Sequence, residues 1–472
     1  MIEAAGESVI DKMNINYKID DTIVALATPQ GIGAIGVIRL SGAAAITLCN
    51  IIFKGKDLEK QPSHTLHFGK IVDDENQIID EVLISLFKAP HSYTGENVVE
   101  ISCHGSPFIL QKVIETLIHH GARNAEPGEF TLRAFLNKKL DLSQAEAVAD
   151  LIASDSGASH NLAMQQMRGG FAKIIGELRA ELINFAALIE LELDFSEEDV
   201  EFANREHLIS LIDKLQKIVT PLIESFQLGN VIKNGVSTVI AGRPNAGKST
   251  LLNVLLQEDR AIVSEIAGTT RDTIEEALVI GGVVFRLIDT AGIREATNAI
   301  EHLGIEKTFQ KIKQSSIIIY VFDSTELNEG EVQNDLAQLH AGEIPVVIIA
   351  NKMDLLGADP HLAFPNLPIH FMAAKESKNI AGLKTILHDI VLKNKSAGAN
   401  HTIITNLRHF DALTKANKAL EAVKTGIHNN ISGELIAQDL KEALNALGAI
   451  TGEIDIDRDV LGAIFSKFCI GK

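Results

Sequence analysis

The feature that most constrains this chain is the eight-residue segment Gly242–Ser249, which reads GRPNAGKS. It matches the pattern G-x-x-x-x-G-K-[ST], in which glycines let backbone N–H groups wrap a chain of phosphates. The apolar run VSTVIA precedes the segment, and the helix-like run TLLNVLL follows it. A phosphate-binding loop requires this strand-to-helix context, so the segment predicts a parallel sheet with covering helices around it.

The residue types within this loop predict specific roles toward a bound nucleotide. Lys248 is expected to reach the β and γ phosphates, and Ser249 is expected to ligate Mg²⁺. The N-terminus of the following helix adds N–H groups that favour an anion. The residues predicted to contact the nucleotide here are Asn245, Ala246, Gly247, Lys248, Ser249 and Thr250.

Two further motifs follow predicted strands, and the second of them selects the base. Asp289–Gly292 reads DTAG and is expected to supply a Walker-B type aspartate and a γ-phosphate sensor. Asn351–Asp354 reads NKMD, and the Asp354 carboxylate can accept from N1–H and the exocyclic amine of guanine, which adenine cannot offer. Thr269 and Thr270, in GTTRD, are expected to supply a Mg²⁺-binding hydroxyl in a mobile switch loop. The predicted contacts are Asp289, Thr290, Ala291, Gly292, Asn351, Lys352 and Asp354, with Ala373, Ala374 and Lys375 in a third loop.

Some positions depart from the pattern common among GTP-hydrolysing switch proteins. Ile293 stands where many of them place a Gln that orients the attacking water. Another residue must therefore position the water, and Glu301 is a candidate, with an ordinary solvated helix carboxylate as the equal alternative. Arg271 and Arg294 are possible arginine fingers. Ala373 replaces the usual Ser of an S-A-K loop, and nucleotide affinity is expected to fall only modestly because backbone N–H contacts survive that change.

Length, charge and cysteine content bound the remaining possibilities. At 472 residues the chain is too long for one ordinary core and favours about three domains. The net charge of −19 argues against broad, unaided wrapping of nucleic acid, because phosphate contacts need Lys and Arg. Cys49, Cys103 and Cys469 are too few and too scattered for a disulfide framework or a zinc knuckle. No apolar run reaches the ~18 residues that span a bilayer, and the acidic start lacks a signal-peptide pattern, so a cytoplasmic location is expected.

The first part of the chain predicts an extension and an α+β domain. Residues 1–20 are expected to form a loosely ordered extension. Residues 21–141 contain the β-rich runs DTIVALATP, AIGVIRLSG, HTLHFGKIV, EVLISLFKAP and NVVEISCHG, broken by turn residues. A helical stretch is expected at about Pro107–His120.

The rest of the chain predicts helices on both sides of an α/β unit. Helical periodicity covers residues 142–234, where Pro221 and Gly229 are expected to end the block, and it returns over residues 396–472. Between them, residues 235–395 alternate apolar strands and helices, as a parallel sheet with covering helices does. One helical domain interrupted by an inserted α/β domain explains this order, although two separate helical bundles would give the same pattern.

Several segments resemble the tRNA-modification GTPase MnmE (TrmE) family, from Asp21 to Lys472. They are DTIVALATPQGIGAIGVIRLSG, SYTGENVVE, EPGEFTLRAFLNKKLDLSQAEAVADLI, GRPNAGKSTLLN, AGTTRDTIEE, DTAGIRE and the terminal CIGK. The long EPGEF…EAVADLI stretch and the C-x-G-K end are specific to that family, whereas the nucleotide motifs alone are not.

The resemblance implies a multidomain fold and an activity. The fold is an N-terminal α+β folate-binding-like domain that dimerises, an all-α helical domain built from both flanks, and an inserted α/β Ras-like P-loop GTPase domain. The homodimer would join an FAD-dependent protein, MnmG (GidA), in a heterotetramer. Together they would convert C5 of the wobble uridine, position 34, of certain tRNAs to an aminomethyl or carboxymethylaminomethyl form. A 5-formyl- or methylene-tetrahydrofolate would supply the one carbon.

The resemblance also implies a potassium site beside the phosphates. The family's K⁺ ligands fall on Asn245, Ser264, Ile266 and Thr269, with the switch-I loop closing over the ion. The cation would neutralise charge that develops between the β and γ phosphates. In that role an arginine finger contributes ~10³–10⁵ in rate.

The remaining catalytic residues follow from the same resemblance. Mg²⁺ would be held by Ser249 and Thr270. Glu301 falls where the family places its water-orienting glutamate, so the implied catalytic residues are Glu301, Lys248 and Asn245. Two Ras-like domains are implied to meet across the dimer when GTP and K⁺ bind.

A folate site is implied at Arg39, Glu100, Lys139 and the terminal Lys472. The chemistry fits, because a reduced folate has a glutamate tail that suits Arg or Lys and a pterin edge that suits a carboxylate. Without the resemblance, these side chains would be interpreted as surface cations and a strand carboxylate. Ile32 replaces an Arg that the family often has, in a loop near this site.

Cys469 and several weaker sequence patterns give less information about function. Cys469 is by default an inert thiol, and the C-x-G-K match implies that it matters for tRNA modification, with no chemical role assigned. Cys103 and His104 are expected to point to opposite faces of a strand, and His119–His120 lacks metal-ligand spacing. A basic helix face near Lys415 could touch tRNA, with a solvated face favoured.

Two other functional hypotheses stay open at this point. An Era-like regulatory or ribosome-assembly GTPase would use GTP only to control binding, but such proteins usually append a basic RNA-binding module that this acidic chain lacks. Alternatively, the N-terminal domain is a one-carbon transferase and the GTPase is its regulator.

Overall fold

A computed structural model describes residues 21–194, 205–259, 275–289, 315–339, 342, 344–356, 364–392, 403–452 and 471. The chain forms two compact units with one β-sheet each. The first unit draws on Met1–Ala149, Gln166–Ala203 and Thr425–Lys472, and the second on Asp150–Gln165 and Asn204–Lys424. The expected extension over residues 1–20 lies outside the described residues.

The strands and helices of the described residues are numbered in chain order. The strands are β1 (Ile23–Leu26), β2 (Ile35–Ser41), β3 (Phe53–Lys54), β4 (Thr65–Val72), β5 (Ile78–Phe87), β6 (Val98–His104), β7 (Arg123–Asn124), β8 (Val236–Ala241), β9 (Glu275–Ile280), β10 (Val283–Asp289), β11 (Ile317–Asp323), β12 (Val346–Asn351) and β13 (Ile369–Phe371). The α-helices are α1 (Ala45–Ile52), α2 (Pro107–His119), α3 (Glu129–Leu136), α4 (Leu142–Ile152), α5 (Gly157–Met167), α6 (Gly170–Asp194), α7 (Arg205–Asn234), α8 (Lys248–Asp259), α9 (Glu329–Gln338), α10 (Ile380–Leu392), α11 (Leu407–His428) and α12 (Gly433–Thr451).

The sheet of the first unit has seven strands in the order β3-β4-β5-β6-β2-β1-β7. Its neighbours are antiparallel, except that β1 and β7 run parallel. Burial alternates along β5, where Val82, Ile84 and Leu86 face the core. Helix α2 packs on that core through Val113 and Leu117, which lie four residues apart on one helix face. The predicted α+β character of this part is confirmed.

The sheet of the second unit has six strands in the order β13-β12-β11-β8-β10-β9. It is parallel apart from the antiparallel β9–β10 hairpin. Strand β11 is buried along its whole length, as a central strand covered on both faces must be. The hairpin turns at Gly281 and Gly282, whose positive φ angles of 58° and 84° suit a tight two-residue turn.

The carboxyl ends of four parallel strands meet at one edge of this second sheet. Strand β8 leads into Gly242–Ser249, and β10 ends at Asp289. Strands β11 and β12 end at Asp323 and Asn351, which are paired across the sheet. Ligands of open α/β sheets bind at such an edge.

Two pairs of long helices each join a segment that precedes the second sheet in sequence to a segment that follows it. Helix α6 lies beside α12, where Lys441 approaches Glu190 at 2.5 Å. Helix α7 lies beside α11, where Lys424 donates to Asp213 at 2.6 Å. Each pair joins one helix that precedes the sheet to one that follows it, so the expectation of an insertion into helical sequence is confirmed. The boundaries at residues 141, 234 and 395 stay predictions.

One local expectation is wrong. Pro221 and Gly229 do not end a helical block, because α7 runs through both of them to Asn234. The buried face of the helix, which includes Leu222 and Leu228, outweighs the hydrogen bond that Pro221 cannot donate. Gly229 is needed for a close approach, since a Cβ there would overlap the carbonyl oxygen of Ile404. Among the described residues, no helix combines the length and apolarity that crossing a membrane requires.

Substituting Gly229→Ala is expected to destabilise the second unit by about 1–3 kcal/mol, because the new methyl group must displace the backbone at Ile404. The matched control is Gly176→Ala in α6, where a Cβ meets nothing within 4 Å and better helix propensity should stabilise by about 0.5–1 kcal/mol. Chemical denaturation of both variants measures the difference. Equal stability of the two variants would contradict the close approach.

Candidate nucleotide and folate sites

The loop Gly242–Ser249 is shaped by backbone conformations that few side chains allow. Gly242 has φ +144°, and a Cβ there would overlap the carbonyl oxygen of Val321 on β11. Gly247 has φ +94°, and a Cβ there would overlap the amide nitrogen of the Asn351 side chain. Asn245 has φ +60°, a region that Asn tolerates better than most residues. The glycine spacing of the motif therefore has a steric cause in this fold.

The Lys248 side chain folds back onto the start of its own loop. Its Nζ donates to the carbonyl oxygens of Gly242 at 2.9 Å and Arg243 at 2.8 Å. Helix α8 begins at Lys248, so Ser249 lies in its first turn, and the N-terminal N–H groups of the helix face the loop side. This arrangement presents one cation and several backbone donors to one region, which is the chemistry that binds phosphate.

Asn351 joins the phosphate loop to the loop after β13. Its side chain donates to the carbonyl oxygen of Ala246 at 2.9 Å and accepts from the backbone N–H of Ala374 at 2.9 Å. Asn351 is only 3% exposed, and its own carbonyl oxygen accepts from Ser324 Oγ at 2.7 Å. The backbone N–H of Ala373 donates to the carbonyl oxygen of Lys378. The backbone N–H groups of Ala373 and Ala374 therefore both hold the loop after β13 in place.

Lys352 is held beside the site by Asp323. Its Nζ forms a short ion pair with the carboxylate of Asp323, which is 4% exposed at the end of β11. Burial tends to raise the pKa of Asp323, but hydrogen bonds from Lys352 and Thr325 prevail and the pKa is lowered. Lys352 adopts φ +64°, and Asp354 follows in a short 3₁₀ turn with an exposed side chain. A carboxylate exposed at this edge is free to accept from the N–H groups of a base.

Several predicted nucleotide contacts are brought together in this way. Those in the described loops are Asn245, Ala246, Gly247, Lys248, Ser249, Thr250, Asn351, Lys352, Asp354, Ala373, Ala374 and Lys375. Asp289 is described in its backbone, which pairs with Ile240 at the end of β8. Predicted residues outside the described ranges are Ser264, Ile266, Thr269, Thr270, Thr290, Ala291, Gly292, Glu301, Cys469 and Lys472, together with Arg271, Ile293 and Arg294.

A second constellation lies in the first unit, where Arg39 meets Glu100. The two residues are paired between β2 and β6, and Arg39 Nε donates to Glu100 Oε1 at 2.9 Å while Nη2 lies 2.8 Å from the same oxygen. The rings of Tyr93 and Phe130 flank the guanidinium at 5.4 and 5.7 Å. Arg39 Nη1 also donates to the carbonyl oxygen of Gly471 at 3.4 Å, close to the chain terminus.

A buried ion-pair network involves Arg133, which belongs to α3, the helix that also carries Phe130. Arg133, 2% exposed, donates to Asp21 Oδ1 at 2.6 Å and to Glu129 Oε1 at 3.0 Å. Buried charges persist only when paired in this way. Tyr93 is held by a 2.8 Å bond between its hydroxyl and Thr131 Oγ1.

The structure does not join Lys139 to the Arg39–Glu100 pair by a contact. Lys139 Nζ instead donates to the carbonyl oxygen of Pro90 at 2.8 Å. Its predicted role toward folate therefore stays a prediction. Ile32 is 93% exposed at the tip of the glycine-rich turn.

Cys103 and His104 point to opposite faces of β6, as expected. Cys103 is 3% exposed, and burial with the nearby Asp80 carboxylate raises the pKa of its thiol to about 11, which makes it a poor nucleophile. The His104 side chain is 71% exposed and its Nδ1 lies 2.8 Å from Asp80 Oδ1. Among the described residues, no cluster of His, Cys, Asp or Glu could hold a metal ion.

Three residues that contact the two candidate sites were not predicted from the sequence. Asp323 was detectable as the polar residue that ends the apolar run SIIIYVFDS, one position along the sheet edge from Asn351. Tyr93 and Phe130 had no detectable signal, because only the fold brings their rings to Arg39.

A parallel sheet whose edge carries a glycine-rich phosphate loop, a bridging asparagine and an exposed base-directed aspartate defines a P-loop GTPase. Two family models match this chain: the MnmE helical domain over residues 142–469, and the GTP-binding protein TrmE N-terminus over residues 22–139. The chain therefore belongs to the MnmE family of tRNA modification GTPases.

Curated relatives match over almost the whole length. The chain is 54% identical to the tRNA modification GTPase MnmE of Cytophaga hutchinsonii over 453 residues, which cover 96% of this chain and 98% of the relative. It is 53% identical to the MnmE of Flavobacterium johnsoniae over 468 residues, covering 96% and 99%. A solved structure of Era from Aquifex aeolicus shares 26% identity over 39% of this chain and 66% of that one, with a TM-score of 0.26.

Substituting Asn351→Ala is expected to lower the free energy of unfolding by about 2–4 kcal/mol, because it leaves the Ala246 carbonyl and the Ala374 N–H buried without their partner. Guanine-nucleotide affinity should fall with it, since the two loops lose their common bond. Denaturant melts and nucleotide titration measure both effects. Asn366→Ala, in an exposed loop, is the control, and equal behaviour of the two variants would contradict the bridging role.

Proposed function

We propose that this protein hydrolyses GTP in the modification of the wobble uridine of certain tRNAs. The observation that carries the proposal is the Asn351 bridge, which holds the phosphate loop and the base-recognition loops in one site. Membership of a family of tRNA modification GTPases, with relatives about half identical over nearly the whole chain, supports the role in tRNA modification.

The described residues have distinct tasks toward the nucleotide. Lys248, resting on two loop carbonyls, holds a cation where the β and γ phosphates would lie. Asp354 accepts from guanine, and the Asp323–Lys352 ion pair fixes the turn that carries it. Gly242 and Gly247 let the loop pack against Val321 and Asn351 in conformations that leave no room for a Cβ, and a glycine-rich turn of this kind fits a phosphate chain because its backbone N–H groups can wrap the phosphates. Mg²⁺, held by Ser249 and Thr270, would neutralise phosphate charge.

We further propose that K⁺ stimulates hydrolysis through Asn245, Ser264, Ile266 and Thr269. The exposed Asn245 side chain, on a backbone with positive φ, is consistent with a ligand for such an ion. Glu301 would orient the attacking water in the place of Gln, since Ile293 has no polar atom. Family resemblance alone supports the switch residues.

A tetrahydrofolate is proposed to bind at Arg39 and Glu100, with Lys139 and Lys472. The donor set fits: Arg39 lies close to two aromatic rings, which would also provide flat surfaces for a pterin or aminobenzoyl ring. Glu100 offers a carboxylate to the pterin edge. The folate, as 5-formyl- or methylene-tetrahydrofolate, would supply the one-carbon unit for C5, and Cys469 is proposed to act in modification rather than in GTP hydrolysis.

The assembly is proposed to be a cytoplasmic homodimer that binds an FAD-dependent MnmG-like partner as a heterotetramer. The product would be an aminomethyl or carboxymethylaminomethyl uridine at position 34. The domains would run over residues 21–141, 142–234 with 396–472, and 235–395. An Era-like regulatory role remains the alternative function, and no contact in the described residues favours it.

GTP turnover is expected to be about ten-fold faster or more in K⁺ than in Na⁺ buffer of equal ionic strength, because the proposed cation offsets phosphate charge. The variant Asn245→Gly, which tolerates the positive φ angle, should lose most of that difference. Asn366→Ala should keep it. Identical turnover of the wild-type chain in the two buffers would refute the potassium role.

Nucleoside mass spectrometry of tRNA tests the modification itself. A strain lacking the gene should lose the modified wobble uridine, and a strain with Arg39→Gln should lose most of it while its protein keeps GTP hydrolysis. The control Lys60→Gln changes an exposed cation and should preserve the nucleoside. Unchanged wobble uridines in the deletion strain would refute the modification role, whereas an effect of deletion without an effect of Arg39→Gln would refute only the folate assignment.

A further inference from the structure

We propose that Arg243 is a positioning residue for GTP: through Asp335 on α9 it fixes the loop carbonyls on which Lys248 rests. The inference deepens the proposed GTP site and rests on that function. Arg243 is the second residue of the phosphate loop, a position that the sequence motif leaves unspecified.

Arg243 and Asp335 form a two-pronged ion pair. Arg243 Nε donates to Asp335 Oδ2 at 2.8 Å, and Nη2 donates to Oδ1 at 2.9 Å. Two parallel hydrogen bonds fix orientation as well as distance, which a single contact to an ammonium group would not do. A second carboxylate, Glu331, lies 4.0 Å from Nη1 and adds negative charge on the same helix.

Asp335 is itself held from the sheet. The hydroxyl of Tyr320 donates to Asp335 Oδ2 at 2.6 Å, and Tyr320 is 2% exposed in β11. The hydrogen bond from Arg243 lowers the pKa of Asp335; burial acts in the opposite direction, and the hydrogen bond from Tyr320 lowers the pKa further. The carboxylate therefore stays charged near neutral pH. The side chain that grips Arg243 is thus anchored to a core strand.

The same strand touches the start of the phosphate loop. Tyr320 is paired with Ala241, the last residue of β8, and the carbonyl of Val321 is the group that excludes a side chain at Gly242. The chain therefore closes a ring from β11 to Gly242, Arg243, Asp335 and back to Tyr320. A ring of this kind restrains the peptide between Gly242 and Arg243 on both sides.

The restrained segment Gly242–Arg243 carries both acceptors for Lys248. Its Nζ contacts the carbonyl oxygens of Gly242 and Arg243, one on each side of the Arg243 nitrogen. Movement of Arg243 would move an acceptor of the ammonium group that faces the phosphates. An exposed ion pair by itself contributes little to stability, so the effect of Arg243 is expected on nucleotide binding more than on unfolding.

The test is a double-mutant cycle with steady-state kinetics and GDP release. Arg243→Gln and Asp335→Asn should each raise KM for GTP about five- to ten-fold and speed GDP release similarly, while kcat changes less than about two-fold, as loss of ground-state and transition-state binding together predicts. The double variant should be no worse than either single variant, because both changes break one tether. Tyr320→Phe should fall between the wild type and Asp335→Asn, and Arg243→Lys should restore part of the affinity.

The control is Asp213→Asn, which breaks the Lys424–Asp213 ion pair between α7 and α11, away from the phosphate loop. It should leave KM and GDP release unchanged, and the thermal midpoints of all variants should lie close to that of the wild type. Additive effects in the cycle, or a KM that rises only in step with a lower thermal midpoint, would overturn the inference. A wild-type chain that neither binds nor hydrolyses GTP would instead overturn the proposed function.

Discussion

The nucleotide site depends on one buried amide. The Asn351 side chain donates to the carbonyl oxygen of Ala246 and accepts from the backbone N–H of Ala374. Asn351 and Ala246 are 105 residues apart in sequence, so this side chain joins distant segments of the chain. A buried amide that lost either partner would leave polar atoms without hydrogen bonds, which costs more than the bond itself contributes. The steric need for glycine at 247 follows from the same side chain, because Asn351 occupies the space that a Cβ would fill. The glycine-rich loop and the loop after β13 are therefore held by the same side chain.

The site in the first unit follows a different physical rule. Arg39 and Glu100 are cross-strand neighbours, so their meeting is set by the β2–β6 register, and a slip of one residue would place them on opposite faces. The rings of Tyr93 and Phe130 lie close to Arg39, and Arg133 forms ion pairs with Asp21 and Glu129 in the same unit. The candidate site in the second unit is shaped by backbone conformation, whereas that in the first is built from paired side-chain charges.

Much of the fold could be predicted from local pattern. The apolar run of β11 and the strand-loop-helix order around Lys248 depend on neighbouring residues alone, so they were legible in the sequence. Helix α7 was misjudged at Pro221 because its continuity depends on packing rather than on propensity. The partners of Arg39 and Arg243 could not be predicted, since Tyr93 and Asp335 reach them only across the tertiary fold. Local chemistry thus predicted which residues bind, and the structure added the side chains that contact them.

The pairing of α6 with α12 has a consequence for synthesis on the ribosome. Arg179 bonds to the carbonyl of Leu444, 265 residues later in the chain. At ~5–20 residues per second, the partner of α6 is translated on the order of ten to fifty seconds after α6 itself. During that interval the apolar face of α6 is exposed to solvent or bound by a chaperone, while the intervening sheet has time to fold. The nascent protein therefore keeps that apolar face uncovered until its last helices are made.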